Sequence, residues 1–378
     1  MFLIKFVNKN KLNIVLMLTS IILTLFFIEI FNYFFILNKD NYYVWPPNFE
    51  KEFFPDPEIF SGIYGSSNFT INSLGYRGPV ISDKTKEYRV LVVGGSTTEC
   101  LYLDDEEEWP YLSMKNIFET NGGREVIFIN IGKSGHNTRD HIFQLKHLLP
   151  VYEPDIVVSM VGVNDMLYLL SKWAIWEPFD EENYDLDRVF YTNSKFEKKS
   201  TISYKLFKIL SSDVKPQDVV GGNVRELREE RRNGRDMKEI PDLEMPLKDY
   251  KNNLHRFINI SRENGMKVLF ITQPYLWNVN NTEEEDSAMW MTTDYFGHYY
   301  YVEDMAAAMD KYNQVLLNVC LNNLDVFCLD LEKEVPKSLN YFYDDVHFNE
   351  KGAQLASDEL SFFMNKNFYE LNNLCYNK

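Results

Sequence analysis

The chain has 378 residues, 45% of them hydrophobic and 25% charged, which is ordinary for a globular protein with a sizeable core. The formal net charge is −17, and an acidic surface repels phosphate backbones, so nucleic acid is not expected as a partner. The four cysteines lack the spacing of metal ligands, and no metal or organic cofactor is predicted. The sequence leaves open whether Cys320 and Cys328 form a disulfide or remain buried thiols.

An apolar stretch near the N-terminus, residues 13–37, is long enough to cross the hydrocarbon core of a bilayer as a helix. Glu29 is its only charged residue, and the surrounding apolar side chains offset the cost of that charge. Three basic residues precede the stretch, namely Lys5, Lys9 and Lys11. The positive-inside rule therefore predicts a single-pass membrane protein with a cytoplasmic N-terminus and an extracytoplasmic remainder. A cleaved signal peptide is the alternative, but no small-residue cleavage site follows the stretch.

The next segment, residues 39–86, is rich in proline, glycine, asparagine and aromatic residues. Because its aromatic side chains favour burial, we expect an ordered but irregular lead-in arm. The chain is thus divided into a cytoplasmic stub and transmembrane anchor at 1–38, the arm at 39–86, and a domain at 87–378.

From residue 87 onward, short apolar runs alternate with helical segments. Strands are predicted at 89–93, 126–130, 155–161, 267–272 and 325–330, and helices at 109–119, 140–149, 247–263, 302–322 and 350–365. Continuous apolar runs suit strands that are covered on both faces. The pattern predicts an α/β fold, a three-layer α/β/α sandwich with a central parallel sheet.

The alternation stops at about 166–246, a long, charged and partly helical segment that we interpret as an insertion over the cleft. Its basic run from Arg225 to Arg235 is interleaved with glutamates. This charge pattern favours a solvated helix face over a binding patch. A second insertion-like stretch, residues 278–301, is polar and aromatic.

Ligands of open α/β sheets bind at the carboxyl ends of the strands, so the residues after each predicted strand are candidates for a site. The first strand is followed by Gly94-Gly95-Ser96-Thr97-Thr98-Glu99. The glycines permit a sharp turn, and Ser96 then falls at a helix N-terminus beside free backbone N–H groups. Ser96 is either a nucleophile or only a helix N-cap. A phosphate-binding loop is not indicated, because neither glycine-rich phosphate motif is present.

The second and third strands are followed by groups that can donate hydrogen bonds. A turn containing Gly135 follows the second strand, where a glycine lets the backbone N–H approach a substrate closely. Asn164 and Asp165 follow the third strand, and an asparagine side chain can donate to a developing oxyanion. Taken alone, each is better explained as a turn. Asp165 is expected to stabilise the turn rather than take part in chemistry.

The last predicted strand is followed, near the C-terminus, by Asp344, Asp345 and His347. The Asp-x-x-His spacing lets a carboxylate fix the imidazole tautomer, so that the other ring nitrogen can accept a proton from a serine. Asp345 is a rival for the role of the acid, but the spacing favours Asp344. A metal pair is the other interpretation, and it lacks further His or Cys ligands.

In this order, at these strand ends, the motifs resemble those of the SGNH/GDSL hydrolase superfamily, which has a flavodoxin-like fold. The resemblance covers roughly 88–365 apart from the insertion, and the segment 71–78 resembles the one that precedes the first motif in membrane-anchored bacterial members. It implies a catalytic triad of Ser96, Asp344 and His347, with oxyanion-hole donors from Ser96, Gly135 and Asn164. One departure is that Gly95 replaces the aspartate of the usual Gly-Asp-Ser motif.

The resemblance implies an extracytoplasmic serine esterase that removes acyl groups, O-acetyl groups in the first place, from a glycan or related ester. The expected partners are an acylated carbohydrate and, through the N-terminal helix, a membrane. Three alternatives stay open: an O-acyltransferase with the same triad, a lipid esterase, and a non-catalytic glycan-binding protein with the same fold. Four tryptophans are candidates for stacking on sugar rings, namely Trp173, Trp176, Trp277 and Trp290.

Overall fold

The structure is a computed structural model, and it describes residues 11–32, 42–117, 123–191, 219–220, 222–233, 237–291 and 293–373. The chain divides into two compact units, formed by residues 1–42 with 191–215 and by residues 43–190 with 216–378. The described part of the first unit contains one helix, α1 (Lys11–Asn32). No helix within the described ranges is long and apolar enough to cross a membrane, and the predicted transmembrane helix is therefore not supported.

The second unit contains ten strands and eleven helices among its described residues. In chain order they are β1 (Glu50–Pro55), β2 (Ser67–Thr70), β3 (Glu87–Gly94), α2 (Ser96–Glu99), α3 (Trp109–Asn116), β4 (Glu125–Asn130), α4 (Thr138–Tyr152), β5 (Ile156–Met160), α5 (Val163–Lys172), α6 (Leu186–Val189), β6 (Val219–Val220), α7 (Gly222–Arg232), β7 (Met237–Lys238), α8 (Glu244–Glu263), β8 (Lys267–Ile271), α9 (Glu283–Ala288), β9 (Tyr299–Tyr300), α10 (Val302–Leu321), β10 (Val326–Leu329), α11 (Leu331–Glu334) and α12 (Glu350–Asn373). A short 3₁₀ helix, Trp173–Ile175, follows α5.

The central sheet has five parallel strands in the spatial order β4-β3-β5-β8-β10. All residues of β3, β5 and β8 are buried, as the continuous apolar runs predicted. The predicted α/β fold with a central parallel sheet is confirmed. The order is the doubly wound, flavodoxin-like one, in which the chain reverses direction across the sheet between β3 and β5. Ligands bind at such a reversal because the loops diverge there and leave a crevice.

Helices cover both faces of the sheet. Right-handed crossovers place α3, which leads from β3 outward to β4, on the opposite face from α4, α8 and α10, which lead the other way. Contacts agree, since α3 packs against α12 and α8 packs against both α4 and α10. The predicted bounds of these helices differ from the observed ones by a few residues, as helix ends generally do.

The lead-in arm is more regular than the irregular segment expected from its sequence. Strands β1 and β2 form an antiparallel pair, and β1 also pairs with β6 in parallel. Inward-facing aromatic side chains join these strands, with Phe53 and Phe69 both buried. The arm therefore has a small core of its own, which short strands among prolines and glycines did not reveal.

Arg77 fastens this arm to the turn that follows β3. Its backbone exchanges two hydrogen bonds with Asn130 of β4, and its side chain is only 3% exposed. The guanidinium donates to the backbone carbonyl oxygens of Glu99 at 3.0 Å and Cys100 at 2.9 Å, where helix α2 ends. It also contacts the carboxylates of Asp105 at 2.8 Å and Glu108 at 3.2 Å. A cation at the end of α2 suits the partial negative charge of its unpaired carbonyl groups.

Cys320 and Cys328, which the sequence left open, form a disulfide with Cα atoms 6.2 Å apart. Cys320 lies in the last turn of α10, and Cys328 lies in β10 at the edge of the central sheet. The bond ties that edge strand to the helix before it.

We expect the Arg77→Met variant to lose about 3 kcal/mol of unfolding free energy, because it leaves the buried Glu108 carboxylate without its cation. Chemical denaturation would measure the loss. Arg262→Ala is the control, since Arg262 forms a half-exposed ion pair with Asp325 and should cost less than about 1 kcal/mol. Equal losses in the two variants would contradict the role given to Arg77.

Candidate active site

Ser96, His347 and Asp344 form a continuous hydrogen-bonded chain at the carboxyl edge of the sheet. The Ser96 hydroxyl lies 2.7 Å from Nε2 of His347, and Nδ1 of His347 lies 2.8 Å from Oδ2 of Asp344. Ser96 is the first residue of α2, directly after β3, whereas the other two lie in the turn before α12. This arrangement lets His347 take the serine proton at one nitrogen while the carboxylate orients the other.

Both oxygens of the Asp344 carboxylate accept hydrogen bonds from N–H groups besides that of His347 Nδ1. Oδ1 accepts hydrogen bonds from the backbone N–H groups of Val346 at 3.0 Å and His347 at 2.9 Å. Oδ2 accepts one from the indole N–H of Trp290 at 2.9 Å. Burial alone would raise the pKa of Asp344, but His347 and these donors outweigh it and lower the pKa. The acid of this chain is therefore ionised and fixed in position.

The same carboxylate changes the basicity of the histidine. Burial of His347 favours the neutral ring and lowers its pKa, whereas the negative charge of Asp344 raises it, and the net shift is upward from 6.5. The ring also stacks on Tyr343, with centroids 5.4 Å apart and planes within 8°. His347 is thus held in one orientation with a strengthened capacity to accept a proton.

Asp345, the rival acid, faces away from the histidine. Its Oδ1 accepts the indole N–H of Trp277 at 2.8 Å, and its Oδ2 accepts the backbone N–H groups of Trp290 at 2.8 Å and Met291 at 3.1 Å. Asp345 therefore anchors the loop that carries Trp290, and Trp290 in turn donates to Asp344. The two adjacent aspartates therefore have different roles: Asp344 contacts the imidazole, and Asp345 contacts the loop that carries Trp290.

The three groups expected to form an oxyanion hole all line one cleft with the Ser96 hydroxyl. Gly135 adopts φ +77°, which a glycine accepts without strain. Asn164 lies in the first turn of α5, and its amide donates one N–H to the carbonyl oxygen of His136 at 2.8 Å. An NH₂ group has two hydrogens, so the second remains for a substrate oxygen. Among the described residues, the backbone N–H groups of Ser96 and Gly135 have no acceptor.

The glycine that replaces the usual aspartate has a steric reason. A Cβ atom placed on Gly95 would lie 2.1 Å from the amide nitrogen of Asn164. A side chain at position 95 would therefore require the Asn164 amide to shift. The departure from the family motif is linked to the position of a proposed oxyanion donor.

Glu99 supports the turn that contains Gly135. This fully buried carboxylate accepts hydrogen bonds from both the backbone N–H, at 3.1 Å, and the hydroxyl of Ser134. Burial raises the pKa of Glu99, although Lys133, 3.7 Å away, and the Ser134 bonds oppose the shift. Asp165 has a similar role beside Asn164, because it accepts from the backbone N–H and hydroxyl of Thr138, and burial raises its pKa to about 7.

Helix α7 corrects the interpretation of the basic run as a solvated face. Arg228 and Arg231 are only 8% and 7% exposed. The Arg228 guanidinium donates to the carbonyl oxygens of Ile59 and Tyr343, each at 2.8 Å, and Arg231 donates to that of Met291 at 3.2 Å. One face of this helix in the insertion thus packs against the loops that carry Asp344 and Trp290, and it brings two buried cations close to two buried carboxylates.

The cleft over Ser96 has a volume of about 460 Å³. Its wall is mostly apolar and aromatic, with a few polar groups, and consists of Phe60, Ser96, Leu101, Tyr102, Ser134, Gly135, Asn164, Leu167, Tyr168, Ser171, Val224, Trp290, Met291, Tyr343, Asp344 and His347. Of the four candidate tryptophans, Trp290 lines the cleft. Trp277 is fully buried beneath Asp345, whereas Trp173 and Trp176 do not line it.

The sequence predicted no role for Glu99, Arg77 or the two α7 arginines, and none for Trp290 as a hydrogen-bond donor. Glu99 and Arg77 do lie in sequence segments that were singled out, 94–99 and 71–78 respectively. Their positions could therefore have marked them as candidates for supporting Ser96. No comparable signal marked Trp290 or the arginines, because their role arises only when two insertions fold back onto the sheet. Within the described ranges, no cluster of three or more His, Cys, Asp or Glu side chains could hold a metal ion.

A serine, histidine and aspartate in this geometry, on a doubly wound sheet, define a serine hydrolase that acts on carboxylic esters. The chain belongs to the GDSL-like lipase/acylhydrolase family, whose sequence profile matches residues 92–355. No curated protein matches the sequence.

Solved structures similar to this chain include three hydrolases. An acetylxylan esterase from Geobacillus stearothermophilus is 13% identical, with 76% of this chain and 94% of that one covered and a TM-score of 0.39. A psychrotrophic esterase from Pseudoalteromonas sp. is 12% identical, with 76% and 100% covered and a TM-score of 0.38. An α/β hydrolase from the metagenome of Lake Arreo, Spain, is 13% identical, with 77% and 97% covered and a TM-score of 0.39.

The Gly95→Ala variant should lose about 10²-fold in kcat, because its methyl group displaces the Asn164 amide from the cleft. Asn164→Ala should lose a similar factor. Since both changes act through one donor, the double variant should lose no more than Asn164→Ala alone, as steady-state kinetics on an aryl acetate would measure. Losses that multiply in the double variant would show that Gly95 acts on something other than Asn164.

Activity should rise with pH through a limb whose midpoint lies above 6.5. His347 must be neutral to accept the serine proton, and Asp344 raises the pKa below which the ring is protonated. The pH profile of kcat/KM measures this limb. In Asp344→Asn, kcat should fall by about 10⁴-fold and the limb should move to lower pH, because the stabilising charge is gone. An unchanged limb in that variant would contradict the assignment.

Proposed function

We propose that this protein hydrolyses small acyl esters, acetyl esters foremost, of a carbohydrate. The observation that carries the proposal is that Ser96 lies between two spaces of very different size. One is the wide cleft, and the other is a cavity of about 10 Å³ bounded by Ser96, Thr97, Cys100, Tyr102, Leu103, Tyr343, His347 and Phe348. The smaller space is at the lower limit for one water molecule, so it has no room for an acyl chain longer than acetyl. An ester with a short acyl chain and a bulky alcohol fits this asymmetry.

The wide cleft suits a sugar as that alcohol. The C–H faces of a sugar ring are apolar and pack on aromatic rings, whereas its hydroxyl groups need hydrogen-bond partners. Tyr102, Tyr168 and Trp290 offer aromatic surface there, and Ser134 and Ser171 offer hydroxyl groups. Of the four candidate tryptophans, Trp290 is the one to which stacking on a sugar ring is assigned.

The reaction follows the geometry of the triad. The Ser96 oxygen attacks the acyl carbon as its proton passes to Nε2 of His347, and the substrate oxygen gains negative charge among the N–H groups of Ser96, Gly135 and Asn164. Loss of any one of these donors should cost about 3 kcal/mol of transition-state stabilisation. His347 then returns the proton to the departing sugar oxygen, leaving Ser96 acylated. A water molecule gives one proton to Nε2 of His347 as its oxygen attacks the acyl carbon, and His347 then passes that proton to the Ser96 oxygen as the bond between this oxygen and the acyl carbon breaks, which releases the carboxylic acid and restores the free serine.

We also propose that residues 1–38 hold the protein at a membrane, with the catalytic unit outside the cytoplasm. The apolar side chains of α1 whose exposure is described are exposed, and Lys5 and Lys9 precede the helix. The disulfide between Cys320 and Cys328 supports this location, because disulfides persist in oxidising compartments.

The acyl preference should appear in the relative kcat/KM for aryl acetate, butyrate and octanoate. We expect acetate to exceed butyrate by at least about 10-fold, since two added methylenes exceed the small cavity. Leu103→Ala should narrow that ratio by enlarging the cavity, and Cys100→Ala should shift it in the same direction. Leu167→Ala, which borders only the wide cleft, is the matched control and should leave the ratio unchanged.

Two results would contradict the small-acyl proposal: equal rates on acetate and butyrate, or a preference for octanoate, which would indicate a lipid ester. A fluorophosphonate probe should label the wild type and not Ser96→Ala. Equal labelling of both proteins would remove Ser96 from the mechanism.

The proposed location has its own test in cell fractionation with protease treatment of intact cells. The full chain should sediment with membranes after alkaline washing, and protease added outside should degrade its catalytic unit. Deletion of residues 1–38 should release it. Recovery of the full chain in the soluble fraction would contradict the proposal.

A further inference from the structure

A second cavity, distinct from the catalytic cleft, lies between α7, α9 and the arm. Its volume is about 270 Å³, near the lower end of the range for sites that hold small molecules. We call it the α7 groove, and it is lined by Glu58, Ile59, Ser61, Arg225, Arg228, Glu229, Arg232, Glu284, Ser287, Ala288, Leu339 and Tyr343. The triad does not use this space.

The α7 groove has equal numbers of cationic and anionic side chains. Three arginines stand on one face of α7, and three glutamates oppose them from α7, α9 and the arm. An anion in this groove would meet the glutamates, and a cation would meet the arginines. A neutral ligand whose groups both donate and accept hydrogen bonds can satisfy both sets, and hydroxyl groups do so.

Several of these groups are available to a ligand. Arg225 is paired with Asp56 at 2.9 Å and with Glu58 at 3.5 Å, but Arg232, Glu229 and Glu284 have no hydrogen-bond or ion-pair partner among the described residues. The wall also contains the guanidinium of Arg228, which is 92% buried and whose Nε–H has no acceptor there. That Nε is fully enclosed, so the groups that a ligand in the groove can reach are the exposed side chains of Arg232, Glu229 and Glu284.

The groove adjoins the catalytic cleft. Tyr343 lines both, and in the arm Phe60 borders the cleft while its neighbours Ile59 and Ser61 border the groove. The rings of Phe60 and Tyr343 contact each other with centroids 5.2 Å apart. Both rings are buried, 1% and 6% exposed, so they form the wall between the two spaces. On α7, Val224 borders the cleft and the adjacent, exposed Arg225 borders the groove, and a chain of sugar residues can leave the cleft along this part of α7.

We propose that the α7 groove binds a neutral sugar residue of the same carbohydrate chain whose acyl group is cut at Ser96. This inference rests on the proposed function and extends it from an acylated sugar to an acylated oligosaccharide. The guanidinium of Arg232 and the carboxylate of Glu284 are assigned to the hydroxyl groups of that residue.

The test compares three sets of O-acetylated trisaccharides, made of glucose, glucuronic acid or glucosamine, with the acetylated monosaccharide of each. The full-length protein should prefer the glucose trisaccharide to its monosaccharide by about 10-fold in kcat/KM, as one or two hydrogen bonds to charged groups would give. Arg232→Ala and Glu284→Ala should each remove most of that preference while hydrolysing 4-nitrophenyl acetate at the wild-type rate.

Arg262→Ala and Glu263→Ala make the same charge changes at the far end of α8, and they should keep the preference. Activity on 4-nitrophenyl acetate and acetylated glucose without any chain-length preference would contradict the sugar-binding role of the α7 groove, but it would agree with the proposed esterase activity. A larger chain-length preference with glucuronic acid or glucosamine would overturn the neutral-sugar assignment. Hydrolysis of 4-nitrophenyl acetate with no acetylated sugar cleaved would instead overturn the proposed function.

Discussion

The hydrogen bond between the Ser96 hydroxyl and His347 joins residues 251 positions apart, and the rest of the second unit is arranged so that it can form. Parallel strands bring their carboxyl ends to one edge, and the reversal between β3 and β5 opens a crevice beside Ser96. Asn164 reaches the same crevice because it follows β5. The turn before α12 delivers the imidazole from the far end of the chain.

Buried charged groups surround this bond, and the carboxylates among them are not paired directly with the arginines. Asp344 and Asp345 lie next to each other with no solvent, and each is satisfied by a different set of N–H donors. Two buried cations of α7, Arg228 and Arg231, bond to carbonyl oxygens rather than to these carboxylates. Unpaired ions are costly to bury, so the arrangement holds only while the surrounding loops keep every donor in place. The rigidity of the triad therefore depends on the loops that carry these donors.

The sequence predicted the parts of the site that follow buried strands. Continuous apolar runs ended by glycine or asparagine located β3, β4 and β5, and the order of short motifs after them suggested where Ser96, Gly135 and Asn164 would meet. Parts that depend on long-range packing left no such signal. Trp290 lies in a polar, aromatic stretch without periodicity, and the α7 arginines alternate with glutamates as they do on many solvated helices. The hairpin of the arm consists of strands too short for their alternation to stand out.

Helix α7 shows that the insertion at about 166–246 is not a removable accessory. Val224 borders the cleft, and the two arginines below it close the back of the catalytic loops. A variant in which this insertion is shortened to a linker would retain every motif residue. It would lose helix α7, which covers the loops of Asp344 and Asp345, and water would then reach these carboxylates. In this protein, the smallest functional module is larger than the set of sequence blocks that define its family.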